Sequence, residues 1–123
     1  MEVERTTDAA ARVVILTVRG VLGDAGLLRL ASELAQAPDV DADFSILIDL
    51  RQADGKTVTG KGVRALASQP LTLSVRSRRA IVVPSDLGFG MARMYELLRE
   101  GKSGPTQVFR DYDEARRWVA QRT

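Results

Sequence analysis

Three short runs of β-branched and aliphatic residues, at positions 13–18, 44–50 and 79–84, punctuate the chain, and the segments between them carry helical spacing. Runs of this kind, apolar at successive positions, belong to strands covered on both faces. Strands joined by connections long enough for a helix lie parallel, with right-handed crossovers. The first run is closed by Arg19 and Gly20. Leu27, Leu30, Ala31, Leu34 and Ala35 then form an apolar stripe, with Asp24 placed as an N-cap and Pro38 beyond the end, which predicts a helix over 24–37. A shorter helix starts near Thr59, carries Val63, Leu66 and Ala67, and stops before Pro70. A third runs from Leu87 or Gly88 to Arg99, with Met91, Met94, Tyr95 and Leu98 on one face and Gly101 as its stop. Residues 106–109 read as a short edge strand. A last helix opens at Asp111 and buries Tyr112, Ala115, Trp118 and Val119, with Asp113 and Glu114 in the first turn, where the helix dipole favours acids. A strand at 2–6, returning through 7–11, would pair antiparallel with 13–18. The expected fold is α/β: one domain over 1–123, a mostly parallel sheet of four or five strands with an antiparallel N-terminal strand, and four packed helices.

The chemistry open to this fold is narrowed by two absences, since the 123 residues include neither cysteine nor histidine. Thiolate nucleophiles, disulfides, the usual zinc and haem sites and imidazole acid–base catalysis are excluded, and a Ser-His-Asp hydrolase with them. The 18 Lys and Arg stand against 16 Asp and Glu, a near balance that predicts no nucleic-acid partner. Arg76, Arg78 and Arg79 cluster at the entrance to the third run, which reads as a solvated strand end rather than a phosphate contact. The segment 1–5 is acidic and has no apolar stretch of a secretory signal, and the longest apolar runs have four residues, against the ~20 that cross a bilayer. A cytoplasmic location without stable membrane insertion is expected.

Three constellations invite chemical readings. Asp39, Asp41 and Asp43 have the opening spacing of a calcium loop, but Phe44 and Leu50 stand where its glycine and glutamate belong, leaving a solvated acidic turn. Ser85, Gly88, Gly90 and Arg93 lie at a strand-to-helix junction, where free N–H groups could bind an anion or where glycine could simply allow close packing. Asp49, Arg51 and Asp54 sit at the carboxyl edge of the second run, where open α/β sheets bind ligands, and their expected role is to hold the following loop by hydrogen bonds. Gly60-Lys61-Gly62 lacks the hydroxyl residue of a P-loop, and no cofactor or metal is expected.

The segments 46–51 (ILIDLR), 80–83 (AIVV) with 85–96 (SDLGFGMARMYE), and 108–118 (VFRDYDEARRW) resemble the SpoIIAA-like family, within the STAS fold of bacterial anti-sigma factor antagonists. The resemblance implies a largely parallel sheet of four or five strands with helices packed on it. Antagonists of that family carry a phosphorylatable serine in an Asp-Ser-Ser-Gly-x-Gly turn. Here Thr57-Val58-Thr59-Gly60-Lys61-Gly62 falls in that register, with Thr59 at the second serine, Gly60 and Gly62 at the two glycines, and Thr57 and Val58 replacing the acid and the first serine. Thr59 is therefore either a phospho-acceptor or a plain N-cap. The family implies a non-enzymatic module that binds a protein partner through residues 57–66. The alternative is a Sec14-like carrier of a small apolar ligand or lipid, with a pocket between the 88–95 helix and the sheet. A chain of this size leaves little core for the ~300 Å³ that such a site needs. An enzyme would have only Asp49, Asp54, Tyr95 and the arginines to draw on. Self-association is open through edges at 2–6 or 106–109.

Overall fold

In the computed structural model, residues 1–35, 44–69, 77–84, 86–100 and 104–121 are described. Five strands, β1 (Glu2–Asp8), β2 (Val13–Val21), β3 (Ser45–Asp54), β4 (Arg79–Val82) and β5 (Thr106–Phe109), form one sheet in the order of the chain. β1 pairs antiparallel with β2, and the other three pairings are parallel. The parallel pairs are bridged by α1 (Gly23–Ala35), α2 (Gly60–Ala67) and α3 (Asp86–Leu98), and α4 (Tyr112–Val119) follows β5.

Alternation along the strands divides the core in two. Val14, Leu16, Ile46, Ile48, Ile81 and Val83 point to the side where Leu27 and Leu30 of α1, Val63 of α2 and Tyr95 of α3 pack. Val13, Ile15, Leu47, Ala80 and Val82 point the other way, against Ala115 and Val119 of α4. This two-sided burial is why the strands read as uninterrupted apolar runs. Asp111 caps α4 by accepting from the Glu114 N–H at 3.0 Å, and Phe109 meets the Trp118 ring at 5.6 Å.

Two expectations are corrected here. β2 does not stop at Gly20: a register shift between Thr17 and Arg19, with Gly20 at φ +90°, lets it twist on and pair as far as Val21 with Asp54. β3 is lengthened to match. Asp24 is not the N-cap of α1, because the helix begins at Gly23 and the Asp24 carboxylate is taken by a partner on another element. The expected acidic turn at 39–43, the stops at Pro38, Pro70 and Gly101, and Ser85 lie outside the described residues.

Candidate functional site

The β3–α2 connection is built by backbone hydrogen bonds to its own acids. Asp54 accepts from the Lys56 N–H at 3.0 Å, its carbonyl accepts from the Leu22 N–H at 2.9 Å, and Val58 N–H closes a turn on Gly55 at 3.0 Å. The turn delivers Thr59 in an extended conformation as the N-cap of α2, where its Oγ1 accepts from the Gly62 N–H at 3.1 Å. The Thr59 hydroxyl in turn donates to Asp24 Oδ2 at 2.6 Å, and the Thr59 N–H donates to Oδ1 at 2.8 Å. One carboxylate from the first turn of α1 thus grips both the side chain and the backbone of the residue that starts α2.

The Thr59 hydroxyl bond, then the Thr59 N–H, hold the Asp24 pKa below its ordinary value, against a smaller desolvation effect and with help from the Lys61 charge. Gly62 is required by the same contact, since a Cβ there would overlap the Asp24 carboxylate. Gly62→Ala should therefore displace Asp24 and break both bonds to Thr59, although alanine is the better helix former. The expected result in thermal denaturation is that Gly62→Ala adds no further loss to Asp24→Ala, because both remove the same interaction. Additive losses would show the two positions to be independent. Thr57 is exposed, with its Oγ1 beside Gly23, and Gly60 is half-buried near Met94.

Asp49 does not hold the following loop as expected: its partner Arg51 lies in the same strand, and it is Asp54 that bonds the loop. Buried at the end of the apolar part of β3, Asp49 accepts two bonds from the Arg51 guanidinium, at 2.9 and 2.8 Å, and one from the Arg51 N–H at 3.1 Å. Arg51 also lies over the Tyr112 ring, 4.3 Å from its centroid. Burial raises the Asp49 pKa, but the Arg51 bonds and the charges of Arg51 and Arg19 outweigh it and leave the carboxyl below its usual range. A depressed carboxylate stabilises the fold above the unfolded pKa of ~3.9 and loses that contribution as pH falls through the folded value. The gap in melting temperature between the protein and its Asp49→Asn variant should accordingly narrow as the solution is acidified below about pH 4. A constant gap would mean that the ionised form gives no advantage.

Gly88, Gly90 and Arg93 are residues of α3. Gly90 is exposed with open space where a Cβ would sit, and Arg93 bonds Glu96 at 2.7 Å. Gly88 borders an apolar cavity of about 370 Å³ between α1, α2, α3 and the sheet, walled by residues such as Leu30, Ile48, Val63, Ile81 and Met91. The expectation that a chain of this size has little core to spare for a cavity is therefore corrected: three helices on one face of a short sheet meet imperfectly and leave the space between them. The β3–α2 loop, through Asp54, Gly55, Lys56 and Val58, forms part of the same wall.

The expectation for the arginine cluster is corrected at Arg78 and Arg79, while Arg76 lies outside the described residues. Arg79 is 2% exposed, with its Nη1 donating to Tyr95 Oη at 3.1 Å. Its position in β4 turns it to the same face as Ile81, between the helices rather than towards solvent. Arg78, on the other face, stacks over Trp118 at 5.0 Å and donates to the Trp118 carbonyl at 3.3 Å, tying down the end of α4. Nothing in the local sequence marks Asp24 or Arg79, whose partners lie 35 and 16 residues away.

A mixed five-stranded sheet with three helices on one face and a fourth behind is a SpoIIAA-like fold. Among solved structures the chain is similar to an uncharacterized protein of the DUF3478 family with that fold from Shewanella loihica PV-4. The TM-score is 0.59 at 16% identity, over 96% of this chain and 92% of that one. No protein-family model matches the sequence, and no curated protein does. Among the described residues no helix is long and apolar enough to cross a membrane.

Proposed function

We propose that the protein is a non-enzymatic regulatory module of the STAS type, which docks a protein partner through residues 57–66 and is switched by phosphate on Thr59. The observation that carries this reading is the grip of Asp24 on Thr59. An exposed hydroxyl at a helix N-terminus is open to modification, and a phosphate there would bring almost two negative charges. It would remove the hydroxyl hydrogen that Asp24 accepts and set a dianion against that carboxylate, so α1 and α2 would lose their bridge. The helix dipole favours the phosphate and Asp24 opposes it, which is the balance a reversible switch requires. The Asp49 carboxylate is engaged by Arg51 on both oxygens, which supports a structural rather than a catalytic role for it. A bacterial cytoplasmic setting belongs to the same reading, as does pairing of a second copy along the edge strands β1 or β5.

Intact mass measurement after incubation with host extract and ATP tests it. One phosphate on the protein and none on Thr59→Ala is the expected result, and an unmodified protein counts against the switch.

The cavity favours a second reading, a carrier of a small apolar ligand. Native mass spectrometry of protein purified from its own host would show a co-purified small molecule in that case, and a bound protein partner in the first.

A further inference from the structure

Tyr95 belongs to two features at once: its side chain walls the apolar cavity, and its hydroxyl oxygen accepts from the buried Arg79. Along α3 the wall runs from Gly88 to Tyr95, and along β4 it reaches Ile81. Arg79 is the next residue of β4 on that face; it does not line the cavity itself, and Tyr95 is the residue that connects the two. Among the described residues Tyr95 Oη is the one hydrogen-bond acceptor of that guanidinium, no carboxylate pairs with it, and its Nε is buried without a partner. Tyr95 Oη donates to no acceptor among those residues. Arg99, also buried, adds a second positive charge nearby, while burial pushes the Arg79 pKa below that of an ordinary arginine. A buried cation without an anion is unfavourable, and an incoming carboxylate would supply what is missing. Elsewhere in the lining Asp54 and Lys56 are both present, and their opposite charges offer no net charge for an anionic head.

We propose that the cavity binds a medium-length aliphatic monocarboxylate, with its chain between the helices and the sheet and its head accepting a hydrogen bond from Tyr95 Oη in the field of Arg79. The proposal rests on the carrier reading and names its ligand class. At the ~30 Å³ that a water molecule takes in the liquid, 370 Å³ accommodates about twelve non-hydrogen atoms, the size of decanoate. Its tail would lie against the wall that contains Val58, so the loop leading to Thr59 would feel the occupant.

Calorimetric titration with decanoate and with decanol at neutral pH, on the full chain and on Arg79→Met and Tyr95→Phe, tests this. Decanoate should bind at least about tenfold more tightly than decanol, as a charge-assisted hydrogen bond predicts, and each substitution should remove that preference. Tyr95→Phe keeps the ring and the packing, so it reads the hydroxyl even if Arg79→Met fails to fold. Equal affinities on the unmodified protein, or a preference that survives both substitutions, would overturn the head-group contact and leave a carrier. Failure of both ligands to bind would overturn the carrier reading as well.

Discussion

Leu47→Ala should lower the free energy of unfolding by about 4 kcal/mol. Leu47 is wholly buried near the start of β3, opposite Ile15 of β2 and Ala80 of β4, and it packs with Val119 of α4 on the closed face of the sheet. Truncation there leaves a void that strands on both sides prevent from collapsing, so the lost transfer energy and the void add. Against a total of roughly 5–15 kcal/mol, that is a large share of the stability of the protein. The melting temperature should fall by something on the order of 15 °C. Ile48→Ala, one residue along on the opposite face, should cost visibly less, because Ile48 already borders the cavity and loses fewer contacts. Chemical denaturation of the two variants checks the contrast, and equal losses would mean that the face towards α1–α3 is as tightly filled as the face towards α4.

Arg79→Met should act in the opposite direction, raising the unfolding free energy by about 1–3 kcal/mol in the absence of ligand. The guanidinium is desolvated, among the described residues it has a single neutral acceptor at 3.1 Å, and its Nε is orphaned, so its burial is largely uncompensated. Methionine fills a similar volume with a flexible apolar chain and loses only the bond to Tyr95. A stabilised variant with a higher midpoint in urea is the expected result. A loss of stability would instead mean that the cation is well solvated or paired where it stands. A stabilising substitution at a buried charge marks a residue retained for what it does rather than for the fold.

The strands and the helices were legible in the sequence because each is written in local periodicity. Strands apolar at successive positions are covered on both faces, and the stripe of Leu27 and Leu30 faces the sheet as its spacing requires. Thr59 is legible as a cap because it stands where the helical spacing of Val63, Leu66 and Ala67 opens. Asp24 was misread because a capping acid and a bridging acid look the same along the chain, and only the packing of α1 beside α2 decides between them. Arg79 was misread because three arginines before an apolar run signal a wet strand end, whereas β4 is an interior strand whose first residue is already roofed by α3. The cavity had no signature, since it is a shortfall in how three helices meet, and no residue type encodes a shortfall.

The position of α4 has a consequence for how the chain is made. Each of β2 to β5 pairs with the strand just before it, so the sheet can grow in step with synthesis, and α1–α3 cover one face as they emerge. Among the described residues α4 is the one helix that covers the other face, and residues 112–119 follow all five strands. Until the ribosome releases them, Val13, Ile15, Leu47, Ala80 and Val82 form a bare apolar surface on an otherwise assembled sheet. The nascent chain therefore passes through one well-defined stage at which a chaperone, or a second unfinished copy, has a surface to hold.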